Sequence, residues 1–431
     1  MNIYKEWGFI ENPFRTIPLP STKEGKELLV GREKENKRFL TRLYNPPSLV
    51  TVEGLNGVGK TSLINVAIYA SYESFFEGKS GNLFIPCERT FQLSSGKDPE
   101  EFIDEVLIEV AQTLIKRAEE LENLGFKIPN NSTQVDNWIN KTHIETFQGT
   151  LGPFGIGKSS ETNTSKGFER SGFRAAIRKW LEEIFPYGIN GGVVCIIDNL
   201  EILETSSKAK KSIEELRDLL FNFPGIRWVL CGALGIVKSL AATPRLEGLL
   251  HDPIEIYGIE QQYAAKIFSS RIEYSKSRED YFMPLTPGSF ETLFDLQNQN
   301  IRNTLAECDQ FCMYIYDNEL TVESQNDKES LFITWLDNKS SSNYESVKNQ
   351  LKPRALKLFK DIISHGDSFS PSDYNTFGFN SVPAMRPQIK DLEDVGVVQS
   401  SKDETDSRRK SIQLTSKGYF VSYAMDKSGQ N

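Results

Sequence analysis

Residues 54–61, with the sequence GLNGVGKT, constrain the fold of this chain more than any other segment. They fit the pattern G-x-x-x-x-G-K-[ST], in which backbone N–H groups of a glycine-rich loop cradle phosphate oxygens and the following helix presents its positive end. Such a loop needs a strand before it and a helix after it, and the apolar runs SLVTVE and TSLINVAIYA supply both. The predicted nucleotide-binding residues here are Gly54, Leu55, Asn56, Gly57, Val58, Gly59, Lys60, Thr61 and Ser62.

Two side chains of this loop have separate predicted roles. Lys60 would reach the β- and γ-phosphates of a nucleotide, and the Thr61 hydroxyl would hold Mg²⁺. The predicted cofactors are therefore ATP and Mg²⁺.

A second copy of the pattern, GPFGIGKS at residues 152–159, lacks this context. It follows TFQG and runs into SETNTS, with no apolar-periodic helix whose N-terminus could bind phosphate. We interpret it as a glycine-rich hairpin or loop within a polar insertion at residues 123–167.

Strand-like and helix-like stretches alternate over residues 48–255, which predicts an α/β domain with a parallel sheet covered by helices on both faces. The predicted strands are residues 48–53, 82–86, 192–197 and 227–231. The predicted helices are residues 61–72, 99–121, 173–184 and 212–221.

Asp198 follows the apolar run VVCII, at the carboxyl end of a predicted strand, where open α/β sheets place their ligands. We expect it to bind Mg²⁺ through water, although an aspartate in this position can also cap a helix. Glu201 is the nearest carboxylate that could orient or deprotonate the attacking water, and Asn199 could only position it.

Composition excludes several classes of protein. The chain has 431 residues, too many for one hydrophobic core, and is 38 % hydrophobic and 25 % charged, as in ordinary globular proteins. Its net charge of -9 argues against a protein that coats nucleic acid over its whole surface.

Five cysteines are too few for a disulfide framework. The N-terminus lacks a signal-peptide pattern and no apolar run reaches membrane-spanning length, so we expect a cytoplasmic protein without a membrane partner.

Two further units follow the α/β domain. Residues 256–345 are predicted to form a helical lid, with helices at residues 261–275, 289–297 and 301–316 and a polar connection at residues 323–342. Residues 346–431 have the order helix, helix, helix, hairpin, helix, which is that of a winged helix-turn-helix. Residues 1–47 are treated as an N-terminal linker.

Together these motifs resemble the AAA+ ATPases, particularly the branch of replication initiators and the related STAND-type switch ATPases. The opening WGFIENPF is similar to the start of transposon and secretion ATPases of that wider group, and LVGRE at residues 29–33 resembles the box that precedes the P-loop. In the family this box helps to hold the adenine, which assigns Gly31 and Arg32 to the nucleotide site. Asp198 matches the Walker B acid.

The resemblance also implies roles for two arginines. Arg245, in TPRL, resembles the finger that completes a neighbour's site, and Arg302, in NIR, resembles the sensor 2 arginine that reaches the γ-phosphate of its own subunit. Either arginine could instead be a surface or structural residue. Typical members place Glu directly after the Walker B Asp, whereas this chain has Asn199. The resemblance therefore implies ATP binding, with hydrolysis that is slow or that serves a switch.

The C-terminal unit offers a basic surface of modest charge. Arg386 and Lys390 lie on the third predicted helix, which enters the major groove in DNA-binding members of this fold, and Arg408, Arg409 and Lys410 lie in the wing. Acidic residues surround them, so a protein-docking surface is an equal alternative.

The leading hypothesis is an ATPase whose nucleotide state controls assembly into a homo-oligomer and contact with DNA or a partner protein. The alternative is a slow signalling switch that acts through an effector protein rather than DNA. By analogy with the family, either could belong to a mobile element or an antiphage defence system.

Overall fold

The structure is a computed structural model of the whole chain. It describes residues 2–45, 49–93, 97–126, 163–186, 191–200, 211, 213–241, 243–365, 368–403 and 409–429.

A five-stranded parallel sheet forms the first domain, in the order β2-β3-β4-β1-β5. Its central strands are mostly apolar because helices cover both faces, and every residue of β3 is buried. The strands are β1 (Val50–Gly54), β2 (Leu83–Gln92), β3 (Gly191–Asp198), β4 (Ile226–Gly232) and β5 (Ile254–Ile256). Two buried clusters, one on each face, make up the core of this domain.

The helices of this part of the chain include those predicted and four that were not, three before β1 and one after β4. They are α1 (Ile3–Glu6), α2 (Lys23–Leu28), α3 (Glu33–Leu43), α4 (Lys60–Phe76), α5 (Pro99–Lys116), α6 (Ala118–Asn123), α7 (Asn163–Ile184) and α8 (Ile236–Ala241). The predicted helix at residues 212–221 ends in a π-helical turn, Arg217–Phe221. The helix predicted at residues 99–121 is two helices, because the chain turns at Arg117.

Strand β2 is longer than its apolar run indicates. It continues past Pro86 through an irregularity in register between Pro86 and Thr90, and its last residue, Gln92, pairs with Asp198. Strand β5, at the edge of the sheet beside β1, was not predicted. Both differences arise because pairing with a neighbouring strand, rather than local hydrophobicity, sets the ends of these strands.

A helical lid follows the sheet. Its helices are α9 (Ala264–Ser275), preceded by the 3₁₀ turn Gln261–Tyr263, α10 (Pro287–Leu296), α11 (Ile301–Asp317) and α12 (Gln325–Gln350). The predicted polar connection at residues 323–342 is part of α12, because Phe332, Trp335 and Leu336 of its apolar run are buried in the lid core.

The N-terminal segment packs on this lid rather than acting as a free linker. Tyr4, Phe9 and Phe14 belong to the buried cluster of the lid. Asp309 on α11 accepts hydrogen bonds from the Tyr4 hydroxyl at 2.5 Å and from Asn12 Nδ2 at 2.9 Å. The WGFIENPF segment thus joins the start of the chain to the lid.

The C-terminal unit has the predicted winged-helix order, except that the second helix is only a 3₁₀ turn and an unpredicted short strand precedes it. It consists of α13 (Pro353–His365), β6 (Ser368–Phe369), the 3₁₀ turn Pro371–Asp373, α14 (Val382–Asp394), β7 (Val398–Asp403), β8 (Arg409–Leu414) and α15 (Ser416–Lys427). The three strands form an antiparallel sheet in the order β6-β8-β7. The fold class is therefore the predicted one: a P-loop α/β domain, a helical lid and a winged helix.

Helix α15 attaches this unit to the lid. Phe420 lies in the lid core with its ring edge-to-face against Trp335, whereas Val421 and Met425 lie in the core of the winged helix. Ser416 Oγ donates to Glu307 Oε1 of α11 at 3.0 Å. A shift of the lid would therefore be transmitted directly to the winged helix.

Several predicted features lie outside the described residues. These are most of the insertion at residues 123–167, the second glycine-rich pattern at residues 152–159, Glu201 and Arg408. Within the part of the chain that is described, no helix has both the length and the apolar character that a membrane crossing needs.

Candidate nucleotide-binding site

A cavity of about 300 Å³ lies where the sheet, the N-terminal segment and the lid meet. Five parts of the chain form its walls: the N-terminal segment, the loop with the start of α4, the end of β2, the end of β3 and the lid. Its described lining residues are Thr16, Ile17, Pro18, Leu19, Leu28, Leu29, Val30, Arg32, Asn56, Gly57, Val58, Gly59, Lys60, Thr61, Ser62, Asn65, Thr90, Gln92, Asp198, Asn199, Ile259, Ile267, Arg271, Ile301, Arg302 and Leu305. We call this cavity the cleft.

The loop between β1 and α4 is held in shape from outside. Five consecutive backbone carbonyls, those of residues 54–58, accept hydrogen bonds from other groups of the chain. The donors are Lys60 Nζ to Gly54 O (3.0 Å) and Leu55 O (3.1 Å), Asn300 Nδ2 to Asn56 O (2.8 Å), Arg302 N to Gly57 O (3.1 Å) and Arg32 Nη2 to Val58 O (2.8 Å). The three bonds from Arg32, Asn300 and Arg302 come from other parts of the chain and restrain the loop, which lowers the entropic cost of binding.

Two glycines of the loop are required by its geometry. Gly57 and Gly59 have φ of +85° and +94°, which is the left-handed region that glycine enters without steric cost. A Cβ on Gly57 would also lie 2.4 Å from Asn300 Oδ1. Gly57 therefore allows the lid to approach the loop closely.

Thr61 and Asp198 are brought together as the sequence predicts. Thr61 opens α4 and Asp198 ends β3, and the Thr61 hydroxyl donates to Asp198 Oδ2 at 2.6 Å. Asp198 is buried, and its other oxygen, Oδ1, accepts from the Asn199 amide at 2.8 Å. A hydroxyl and a carboxylate oxygen are hard ligands of the kind that Mg²⁺ prefers. The residues therefore fit a magnesium ion beside the phosphate-binding loop.

Lys60 lies at the same end of the cleft. Its side chain is buried, with the ammonium on the Gly54 and Leu55 carbonyls. These are neutral acceptors, so a phosphate oxygen is a stronger partner for the ammonium than the groups it contacts here.

Arg32 supports the loop from behind. Its guanidinium is only 3 % exposed and donates to Glu35 Oε1 (2.9 Å), Val58 O (2.8 Å) and Tyr257 O (2.7 Å). Burial lowers the pKa of Arg32, and the Glu35 carboxylate opposes that shift. Arg32 thus joins α3, the loop and the end of β5.

Gly31 and Ser62 also have supporting positions. Gly31 has φ of +73°, and a Cβ there would lie 2.7 Å from the Tyr263 ring. Ser62 Oγ accepts from the Leu19 amide at 3.0 Å, which holds the N-terminal segment over the first turn of α4.

The lid touches the loop through the N-terminus of α11. Asn300 caps this helix by accepting from the Asn303 amide at 3.2 Å, and its Nδ2 bonds to the loop. Arg302 has an exposed side chain that lines the cleft, while its backbone amide is bonded to Gly57. Arg302 therefore lies where the lid meets the loop.

Asn199, directly after Asp198, has φ of +56°, a conformation that asparagine tolerates better than most residues. Among the described residues, Asp198 is the only carboxylate that lines the cleft. Glu201, the predicted base, lies outside the described residues.

Sequence reasoning missed three groups of lining residues. Thr16–Leu19 lie between the WGFIENPF and LVGRE segments and belong to neither, and Thr90 and Gln92 lie beyond Pro86, where the apolar pattern of β2 stops. Arg271 has no motif at all and is buried on α9. The one available signal was the charge of Arg271 on an otherwise apolar helix face.

The remaining predicted site residues lie away from the cleft. Arg245 is largely exposed and forms ion pairs with Glu214 (3.3 Å) and Asp218 (3.8 Å). Arg386 and Lys390 are exposed on α14. Arg409 and Lys410 belong to β8, paired in register with Asp403 and Lys402.

Comparison with known proteins adds solved structures only. No protein-family model and no curated protein matches the sequence. The chain is similar to the ORC2 protein of Aeropyrum pernix in ADPNP–ADP complexes, at 10 % identity over 98 % of this chain and 100 % of that one, with a TM-score of 0.47. It is also similar to a Walker-type ATPase of Pyrococcus abyssi, at 12 % identity over 95 % of this chain and 99 % of that one, with a TM-score of 0.44. A further similar structure is Cdc6p of Pyrobaculum aerophilum, at 13 % identity over 97 % of this chain and 99 % of that one, with a TM-score of 0.40. Similarity at this level does not establish a shared function, so the proposals below depend on the geometry of the cleft.

Proposed function

We propose that this protein is an ATPase of the AAA+ type that binds ATP with Mg²⁺ in the cleft. The contact between Thr61 Oγ1 and Asp198 Oδ2 is the observation that carries the proposal. Thr61 directly follows Lys60, and Asp198 ends β3, a different strand from the one that precedes the loop. A magnesium ion bound to a nucleotide requires a hydroxyl and a carboxylate that lie together in this way.

Each residue of the phosphate end has a part in this proposal. Lys60 leaves the two carbonyls that it contacts and moves to the β- and γ-phosphates, a stronger charge-assisted interaction. Thr61 and Asp198 hold the metal, which neutralises phosphate charge when bound. Arg302, on the side of the lid, contacts the γ-phosphate and so distinguishes ATP from ADP.

Hydrolysis is proposed to be slow. Asn199 can position water but cannot deprotonate it, and Asp198 is the only carboxylate lining the described part of the cleft. Glu201 is the proposed base. The same observation favours a second candidate function, a signalling switch in which bound ATP stabilises one conformation and turnover only resets it.

We further propose that nucleotide controls assembly and partner binding. Arg245 is exposed and would complete the site of a second copy of the chain, which makes ATP-bound protein oligomeric. Helix α15 couples the lid to the winged helix, so nucleotide state would reach the surface of α14 that contacts DNA or a partner protein. A role in defence or in a mobile element rests on the family resemblance alone.

Binding of ATP to the full-length chain, measured by isothermal titration calorimetry with and without Mg²⁺, tests the first proposal. Light scattering with ADP, ATP and a non-hydrolysable analogue tests assembly. ATPase turnover with and without duplex DNA separates the two candidate functions: stimulation by DNA supports the ATPase that acts on DNA, and negligible turnover with ATP-dependent partner binding supports the switch.

A further inference from the structure

Arg271 is a buried cation that forms no ion pair with any carboxylate among the described residues. Its side chain lines the cleft and the residue is only 8 % exposed. Nη1 donates to the Pro13 carbonyl at 3.0 Å, and Nε is buried without a hydrogen-bond partner among the described residues. Burial, together with the nearby Arg15 cation, lowers the pKa of Arg271 to about 10, so the group remains charged at neutral pH.

The negative charge of Glu24 acts on Arg271, but Glu24 forms its ion pair with Arg15. It accepts from Arg15 Nη2 at 2.6 Å, and Arg15 also pairs with Glu11 at 2.6 Å. A buried charge that lacks a partner is costly, and a protein usually retains one only where a ligand or a function requires it.

Arg271 borders the part of the cleft that the N-terminal segment forms, because its Nη1 donates to the Pro13 carbonyl and α9, which carries it, packs on α2. The other lining residues on these two helices, Ile267 on α9 and Leu28 on α2, are apolar. An apolar wall with one donor-only side chain suits the faces and the acceptor edge of a nucleobase.

We propose that Arg271 binds the base of the nucleotide, by donating hydrogen bonds to its acceptor atoms, and so selects nucleotides over other polyphosphates. This inference rests on the proposed nucleotide site. It predicts that Arg271 contributes to the affinity for a nucleotide but not to the affinity for a polyphosphate that has no base.

The test compares the full-length wild-type chain with Arg271→Met, using Mg·ATP and Mg·tripolyphosphate as ligands. Affinities are measured by calorimetry or by displacement of a fluorescent ATP analogue, and thermal unfolding is followed without ligand. Arg15→Met is the matched control, because it removes a neighbouring cation that does not line the cleft.

We expect Arg271→Met to weaken ATP binding by about 10- to 100-fold, the usual effect of losing a hydrogen bond to a charged group, and to change tripolyphosphate binding less than about twofold. Its unfolding temperature without ligand should equal or exceed that of the wild type, because methionine replaces a buried unpaired charge. Arg15→Met should keep wild-type affinity for both ligands.

Three results would overturn the proposal. An equal loss of ATP and tripolyphosphate binding would place Arg271 at the phosphates. Unchanged ATP binding would give it no part in recognition, and a lower unfolding temperature together with loss of both ligands would make it structural. If the wild-type chain binds neither ligand, the proposed nucleotide site itself fails, and this outcome is distinct because it precedes any substitution.

Discussion

The candidate functional residues of the cleft and those on the surface of the winged helix differ in burial and in their contacts. In the cleft, side chains from distant segments are buried, bonded to one another and aimed at one space, as Thr61 and Asp198 are. On the winged helix, Arg386 and Lys390 are exposed on one helix, and the nearby carboxylate of Asp391 pairs with Lys352 at 3.7 Å. A bound small molecule needs the first arrangement, whereas an extended polyanion needs only charge and shape on a surface.

Among the substitutions that test this difference, we expect Lys60→Ala to have the largest effect on ATP affinity. Lys60→Ala should weaken ATP binding by about 100-fold or more, because charge-assisted bonds to two phosphates are lost, while DNA binding without nucleotide should be unchanged. Calorimetry measures the first and a fluorescence anisotropy titration the second. Lys158→Ala, in the second copy of the pattern, is the control and should bind ATP like the wild type. Wild-type ATP affinity in Lys60→Ala would contradict the assignment of the loop.

Asp198→Asn should act on the metal rather than on the nucleotide. The amide keeps the size of the side chain and can accept from the Thr61 hydroxyl, but it removes the charge that faces Mg²⁺. We expect about a tenfold loss of ATP affinity in the presence of Mg²⁺ and little change in EDTA. Equal losses in both buffers would show that Asp198 supports the fold of the loop and not the metal.

The winged helix is tested by removing its exposed charges. The double substitution Arg386→Gln and Lys390→Gln should leave ATP affinity unchanged and weaken duplex DNA binding, with the slope of log K against log salt falling by about 2. Lys37→Gln with Arg38→Gln, on α3 of the sheet domain, removes the same charge from another exposed helix and is the control. Unchanged DNA binding in the α14 variant, together with retained binding of a protein partner, would favour the docking interpretation of this surface.

The smallest effect is expected where the lid meets the loop. Asn300→Ala removes the helix cap of α11 and the bond to Asn56, which should cost about 1–2 kcal/mol of stability in urea unfolding. ATP affinity should change only a few-fold, because Lys60, Thr61 and Asp198 keep their positions. Asn303→Ala is the control, since the cap uses the backbone amide of residue 303 and not its side chain. Equal stability of the two variants would contradict the role of this contact.

Local patterns predicted the α/β domain and the phosphate end of the cleft. The glycines of residues 54–61 and the apolar strands β1 and β3 are recognisable from neighbouring residues in the sequence. The position of Asp198 at the end of β3 follows from the regular geometry of a parallel sheet. Helices α9 to α11 and the order of the winged helix were likewise predicted, because amphipathic periodicity is a local property. The extent of β2, the existence of β5 and the length of α12 were not, since partners in space set them.

The sequence by itself determined a glycine-rich loop between a strand and a helix, an aspartate at the end of a buried strand, a helical lid and a winged helix. Only the tertiary structure decided what the other walls of the cleft are. Asn300 bonds to a loop residue 244 positions away, and Arg271 reaches the cleft because the N-terminal segment and α9 pack beside α2. Such contacts depend on which helix faces meet, and that is fixed by the packing of the whole core rather than by any local pattern.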